Sequence, residues 1–232
     1  MHDRLDTTGV REFLGFTIFA LALKAALDLV IWRYAGPISL VVVLACIGLY
    51  LAHQKRDLST LGIVPLKTAK NFWLIPVQTL VAFVTIIATG AIVSLLGDAS
   101  GLEFMQVNTE GARDRFGDLA GNTSLFLMWL AILWVAGPAE ELFFRGFMIN
   151  TLTKTFGTSR LANAISILIP ALIFGAGHMY YQGVRGLFTT GAIGVSLGCL
   201  FLAYKRNIWP LMVAHACVNS LVFTLHYLDI DA

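Results

Sequence analysis

The stretch "LFLMWLAILWVAGPAEELFFRG", Leu125 to Gly146, runs from Leu125 to Pro138 without a charge and then places Glu140, Glu141 and Arg145 within six residues. The first part is apolar all round, as expected of a helix in lipid. The second carries two carboxylates and a guanidinium into the same segment. Composition gives this context. The chain has 232 residues, 57% hydrophobic and only 13% charged, with a mean hydropathy of +0.77. A soluble domain would carry about 25% charged residues, so the missing charge implies lipid as the solvent. Several runs reach the roughly 20 apolar residues that span a bilayer. A net charge of +2 with scattered basic residues excludes a nucleic-acid partner. Cys46, Cys199 and Cys217 sit in apolar runs, at spacings that fit neither a disulfide framework nor a zinc site.

The expected fold class is all-α: a polytopic membrane helix bundle of about seven transmembrane helices, at about 10–32, 37–53, 72–96, 123–149, 160–179, 185–204 and 208–228. The apolar run behind the mixed-charge N-terminus exceeds a signal-peptide core, so it reads as a retained first span. No repeat, low-complexity tract or linker divides the chain, which reads as one membrane domain over 1–232 with a motif-bearing core at about 123–228.

The loops set the orientation. If the helices alternate, Arg4, Arg11, Lys55, Arg56, Lys67, Lys70, Lys154, Arg160, Lys205 and Arg206 share one side; Arg33, Arg113, Arg115 and Arg185 share the other. This asymmetry places the N-terminus in the cytoplasm. The expected location is the plasma (inner) membrane. "GAIGVSLG", with Gly191, Gly194 and Gly198, reads as a close helix contact.

An ionisable residue within a span costs roughly 2.5–3.5 kcal/mol on insertion scales, so each needs a partner or a purpose. On a helix Glu141 and Arg145 stack one turn apart, in the favourable acid-before-base order. Glu140 is rotated by about 100° and stays unpaired. "FGAGH" sets Phe174 and His178 one turn apart, and "HACVN" does the same for His215 and Asn219. Taken singly, these are an interfacial ion pair, an interface histidine and an interhelical hydrogen bond. Together they supply a carboxylate base, two imidazoles and an amide, enough to activate a water and stabilise an oxyanion. Lys24 and Asp28 satisfy each other as a structural pair. There is no GxSxG elbow, and Cys217 lies on a different face from His215.

At these residues the chain resembles the CPBP family of intramembrane proteases, which includes the type II CAAX prenyl endopeptidases and bacteriocin-processing enzymes of the Abi group. The family's EExxxR, FxxxH and HxxxN motifs correspond to Glu140 to Arg145, Phe174 to His178 and His215 to Asn219. "LGIVPLK", Leu61 to Lys67, is similar to the family's short basic loop. The resemblance implies an endopeptidase acting on membrane-associated peptides or proteins, a prenylated C-terminus being one candidate substrate, with membrane lipid as its other partner. It makes Glu140 the general base, His178 its partner, and His215 with Asn219 the oxyanion clamp. Glu141, Arg145 and Phe174 become supporting residues.

Two mechanisms stay open. A glutamate-type site needs no cofactor, whereas Glu140, His178 and His215 could also serve as Zn2+ ligands with a fourth position for water. The absence of HExxH and the Asn beside the second His favour the first. A non-catalytic scaffold or immunity protein would not need all four catalytic candidates, and a transporter would show paired broken half-repeats. Two expectations concern depth. The site should open to the cytoplasm, and straight helices separate Glu140 from His178 by roughly 10–15 Å.

Overall fold

The computed structural model describes residues 7–65 and 69–230, the side chains of 69–71 excepted. Arg4, Lys67, the Lys70 side chain and the last two residues of "LDIDA" therefore lie outside the described part. All regular structure among the described residues is helical. Lipid offers nothing to a backbone N–H or C=O, so each span must satisfy its own.

Helix α1, Thr7–His53, bends sharply at Ile31 (φ −139°, ψ 44°), with Pro37 shortly after. In a straight helix residues 12 and 50 would stand about 57 Å apart. Here the Tyr50 hydroxyl donates to Glu12 at 3.0 Å, and Phe16 meets Tyr50 ring to edge. Helix α1 is thus two antiparallel limbs, the two expected spans, joined by a turn too tight to break the helix label. Arg56 closes the hairpin on Glu12 at 2.8 Å.

Helix α2, Ala69–Ser100, is followed by a short helix α3, Thr109–Phe116, capped by the Asn108 side chain on the Gly111 N–H. The sequence reading assigned no helix there. Helix α4, Thr123–Glu141, passes into a π-helical segment, Leu142–Ile149, and then into α5, Asn150–Phe156. The unbroken rod of 34 residues ends at Gly157, whose φ of +84° suits glycine. The expected boundary at 149 is corrected by seven residues, and Lys154 lies in helix, not loop. Helices α6, Arg160–Ala176, α7, Met179–Ala203, and α8, Trp209–Tyr227, complete the bundle. Helix α7 begins six residues before the expected 185, across a break at Gly183 (φ +68°).

Among the described residues four helices are long and apolar enough to cross a membrane: Thr7–His53, Phe72–Ser100, Thr123–Phe156 and Met179–Ala203. With α1 counted as two limbs and α6 and α8 added, seven segments traverse the bundle. Contacts join the loops expected on the basic side. Arg206 reaches Asn150 and Thr153, and the Ile208 N–H donates to the Gly62 carbonyl. At the opposite end Arg185 pairs with Asp98 at 2.6 Å. Small residues set the tightest packing. A Cβ on Gly194 would lie 3.0 Å from Ala171, and one on Gly175 2.5 Å from the Leu187 carbonyl oxygen. This is the close α6–α7 contact expected from "GAIGVSLG".

Candidate active site

The depth conflict between Glu140 and His178 disappears in the structure. Glu140 lies 16 residues before the end of α5, about 24 Å along the rod, and His178 lies 18 residues after the start of α6, about 27 Å. Extending the rod to Phe156 lengthens it below Glu140, so the two residues meet near mid-depth. They line one cavity of about 100 Å³ together with Lys24, Arg115, Phe174 and Tyr181.

The adjacent carboxylates have separate surroundings, as their 100° offset implied. Glu141 is fully buried. Its Oε1 accepts from Arg145 Nη1 at 2.9 Å and pairs with His215 Nδ1 at 2.8 Å. The first contact was legible as an i, i+4 pair. The second joins residues 74 positions apart and had no local signature. Glu140 instead turns to the cavity with its side chain 20% exposed, and its Oε2 lies 3.6 Å from His215 Nε2. His215 is therefore an imidazole bridging both carboxylates, and only the doubly protonated ring can donate to each.

Phe174 organises the rest. Its ring meets His178 at 4.7 Å and His215 at 6.3 Å between centroids, and the Arg145 guanidinium lies 4.7 Å from its centre. The Phe174 carbonyl is also 2.8 Å from His178 Nδ1. A proton on Nδ1 satisfies that carbonyl and leaves the Nε2 lone pair free. Asn219 follows His215 by one turn on α8, half-buried against Gly137. A Cβ on Gly137 would stand 3.6 Å from both Asn219 Nδ2 and His215 Cδ2. His215 thus approaches the carboxylates from α8, Asn219 lies beside Gly137 one turn on, and neither is part of the cavity lining.

The surroundings of the cavity bear on two expectations. No residue of the basic loops lines the cavity, which is bounded by both limbs of α1, by α3, α4 and the α6–α7 corner. The cavity lining thus does not reach the basic end, where the opening was expected. The cavity rim instead includes Leu21, 55% exposed, and Tyr180, 40% exposed, on the flank of the bundle. The second concerns the set Glu140, His178 and His215. Among the described residues no three His, Cys, Asp or Glu converge as a group able to hold a metal ion. His215 already spends one ring nitrogen on Glu141 and turns the other towards Glu140.

Arg115 was not foreseen as a site residue. Counted among the outward loop charges, it is only 8% exposed and lies over the Tyr180, Tyr181 and Phe116 rings at 4.7–5.2 Å. Burial lowers its pKa from the ordinary value, while Tyr181, Glu140 and Asp28 act in the other direction. Lys24 and Asp28 form the expected pair at 2.7 Å, but Lys24 also lies over the Tyr180 ring at 4.3 Å, on the cavity wall.

Residues 122–221 match the family described as Rce1-like, type II CAAX prenyl endopeptidase. These residues, under half of the chain, are similar to that family. Every motif residue, from Glu140 to Asn219, falls inside the matched segment, whereas both limbs of α1, α2 and α3 precede it. No curated protein and no solved structure matches the chain.

Proposed function

We propose that the chain is an intramembrane endopeptidase that hydrolyses a peptide bond of a membrane-associated protein or peptide by attack of an activated water, without a metal. The observation that carries this reading is the separation of the two carboxylates. Glu141 is consumed by Arg145 and His215, while Glu140 faces a cavity shared with His178. A carboxylate turned into a cavity beside an imidazole is placed to take a proton from water. In this scheme Glu140 is the base and His178 orients the water or returns a proton through Nε2. His215, held by Glu141, supplies a positively polarised N–H as charge develops on the carbonyl oxygen, and Asn219 is the second donor of the clamp.

Substrate enters laterally in this reading, between Leu21 and Lys24 of the first limb and Tyr180 at the α6–α7 corner. A membrane-embedded peptide then need not cross the polar boundary. The N-terminus and the basic end face the cytoplasm, and the cell membrane is the proposed location. A prenylated C-terminus fits a lipid-side entrance, as does any acyl- or helix-anchored peptide.

The test uses the purified full chain in lipid nanodiscs and a membrane-anchored, fluorescence-quenched peptide. Cleavage is expected from the wild type and not from Glu140→Gln, with both proteins eluting and melting alike. Undiminished cleavage by Glu140→Gln would remove the assignment of the base. Activity abolished by a strong chelator and restored by zinc would replace the metal-free mechanism.

A further inference from the structure

A second cavity, of about 270 Å³, lies along α5 and shares no residue with the one at Glu140. Its lining brings together cations from three segments far apart in sequence: Arg56 after α1, Lys154 in α5 and Arg206 after α7. The carboxylate of the lining, Glu12, is already engaged, accepting from Arg56 at 2.8 Å and from the Tyr50 hydroxyl at 3.0 Å. Arg206 has only neutral partners. Its Nη1 donates to the Asn150 amide oxygen and to the Thr153 hydroxyl oxygen. Asn150 is itself fixed, because its Nδ2 donates to the carbonyls of Thr60 and Gly146 at 2.9 and 2.8 Å. The guanidinium is thereby held by one corner, and its Nε–Nη2 edge makes no hydrogen bond among the described residues. Burial lowers the Arg206 pKa from its ordinary value, with no neighbouring carboxylate to oppose the shift. A half-buried cation with an unused donor edge is stabilised by an anion.

We propose that this cavity binds the phosphate group of an anionic membrane lipid. The Nε–H and Nη2–H bonds of a guanidinium run parallel and match two oxygens of one phosphate. Lys154 and Arg56 add positive potential, and Leu51, Leu61 and Phe147 supply apolar lining beside them. Cations next to apolar side chains suit a headgroup that carries glycerol and acyl carbons better than a free ion. The position in the bundle agrees. The second limb of α1 ends at His53 and the rod ends at Phe156, so Arg56 and Lys154 stand where apolar spans leave the bilayer. Basic pockets between helices at this level take anionic headgroups. A lipid seated there touches both limbs of α1, the turn at 59–61, α5 and the turn between α7 and α8, and so clamps the bundle at this end. The site is independent of the protease reading.

Native mass spectrometry of the delipidated full chain in dodecyl maltoside gives the affinities, with Tm as a second readout. The probes are dioleoylphosphatidylglycerol, zwitterionic dioleoylphosphatidylcholine and water-soluble glycerol 3-phosphate. Phosphatidylglycerol should bind at least about 10-fold more tightly than phosphatidylcholine and raise Tm. Arg206→Gln should weaken it by about 10- to 100-fold, the range for a charge-assisted contact, and abolish the rise in Tm. Arg206→Lys, which keeps the charge without the fork, should fall between. Arg206 also braces Asn150 and Thr153, so melting without lipid reads that structural cost separately. Lys154→Gln alters an exposed side chain and should weaken phosphatidylglycerol by about fivefold. Arg160→Gln removes another exposed charge, outside the cavity, and should leave the affinity within about twofold. Equal binding of the two lipids, or an affinity unchanged in both Arg206→Gln and Lys154→Gln, overturns the proposal. Equal losses in Arg160→Gln and Lys154→Gln would mean diffuse attraction to a basic surface and overturn it too. Glycerol 3-phosphate binding as tightly as phosphatidylglycerol would assign the cavity to a soluble phosphate ester and remove the lipid.

Discussion

Replacing Glu141 by glutamine takes the charge from a carboxylate that serves two buried cations. Arg145 is 2% exposed and Glu141 fully buried, so water cannot replace the lost partner. Breaking a buried ion pair from one side costs about 3–5 kcal/mol, mostly from the stranded charge. The amide oxygen can still accept one hydrogen bond, from Arg145 or from His215, which puts the expected loss near about 3 kcal/mol. For a chain of this length each kcal/mol shifts Tm by about 2–4 °C, so a fall of about 6–12 °C is expected for purified protein in detergent. Glu140→Gln is the internal control. Its side chain faces the cavity and its nearest charged partner is His215 at 3.6 Å, so its Tm should stay within about 3 °C of wild type. A second substitution sharpens the argument. Arg145→Met on top of Glu141→Gln removes the stranded charge and should recover at least about 1 kcal/mol, where independent sites would add their losses. Equal melting of the two glutamine variants, or a double variant less stable than Glu141→Gln alone, would refute this account of the buried pair.

Other outcomes follow from the same geometry. Asn219→Ala should lower kcat by about 10²–10³ with little change in Tm, as for one lost oxyanion donor; a loss under threefold in steady-state cleavage would remove Asn219 from the clamp. Gly146→Ala should destabilise by about 1–3 kcal/mol through overpacking, because its Cβ would lie 2.5 Å from the Leu61 carbonyl oxygen; thermal unfolding reads this directly, and an unchanged Tm contradicts the close contact. Single cysteines at the exposed positions Lys205 and Glu110 should react with an impermeant maleimide from opposite sides, Lys205→Cys from the cytoplasm only. Labelling of both from one side would overturn the alternation of the helices.

The helical segments and their alternation could be read because lipid makes hydropathy a reliable signal and each span needs about 20 residues. Local pairs were equally plain: Glu141 with Arg145, Lys24 with Asp28, and Phe174 with His178 are all one turn apart. Contacts that join distant helices leave no such trace. Nothing around His215 announces that its Nδ1 belongs to Glu141, and Arg115 looks like a loop charge until α3 folds its side chain against Tyr180 and Tyr181. The boundary at 149 failed for a related reason. "NTLTKTF" is polar enough to resemble a loop, yet Thr153 and Thr155 bond back to the carbonyls of Ile149 and Thr151, and the helix continues. That extension is what brings Glu140 and His178 to one depth.

The π-helical segment Leu142–Ile149 stands between the carboxylates and the anchor formed by Asn150 and Thr153 with Arg206. Each i→i+5 bond encloses one more residue than an α-helical bond, so the segment sets the rotational phase between the two ends of the rod. Deleting one residue within it would let the backbone relax towards α-helix, the extra residue of the wide turns being the one removed. The Asn150 anchor would hold its end, the carboxylates would keep nearly their present phase, and Glu140 would stay on the cavity wall. The same deletion in an α-helical stretch would turn one end against the other by about 100°. The wide turns thus hold a spare residue, so this part of the rod tolerates a one-residue gap that the α-helical turns beside it do not.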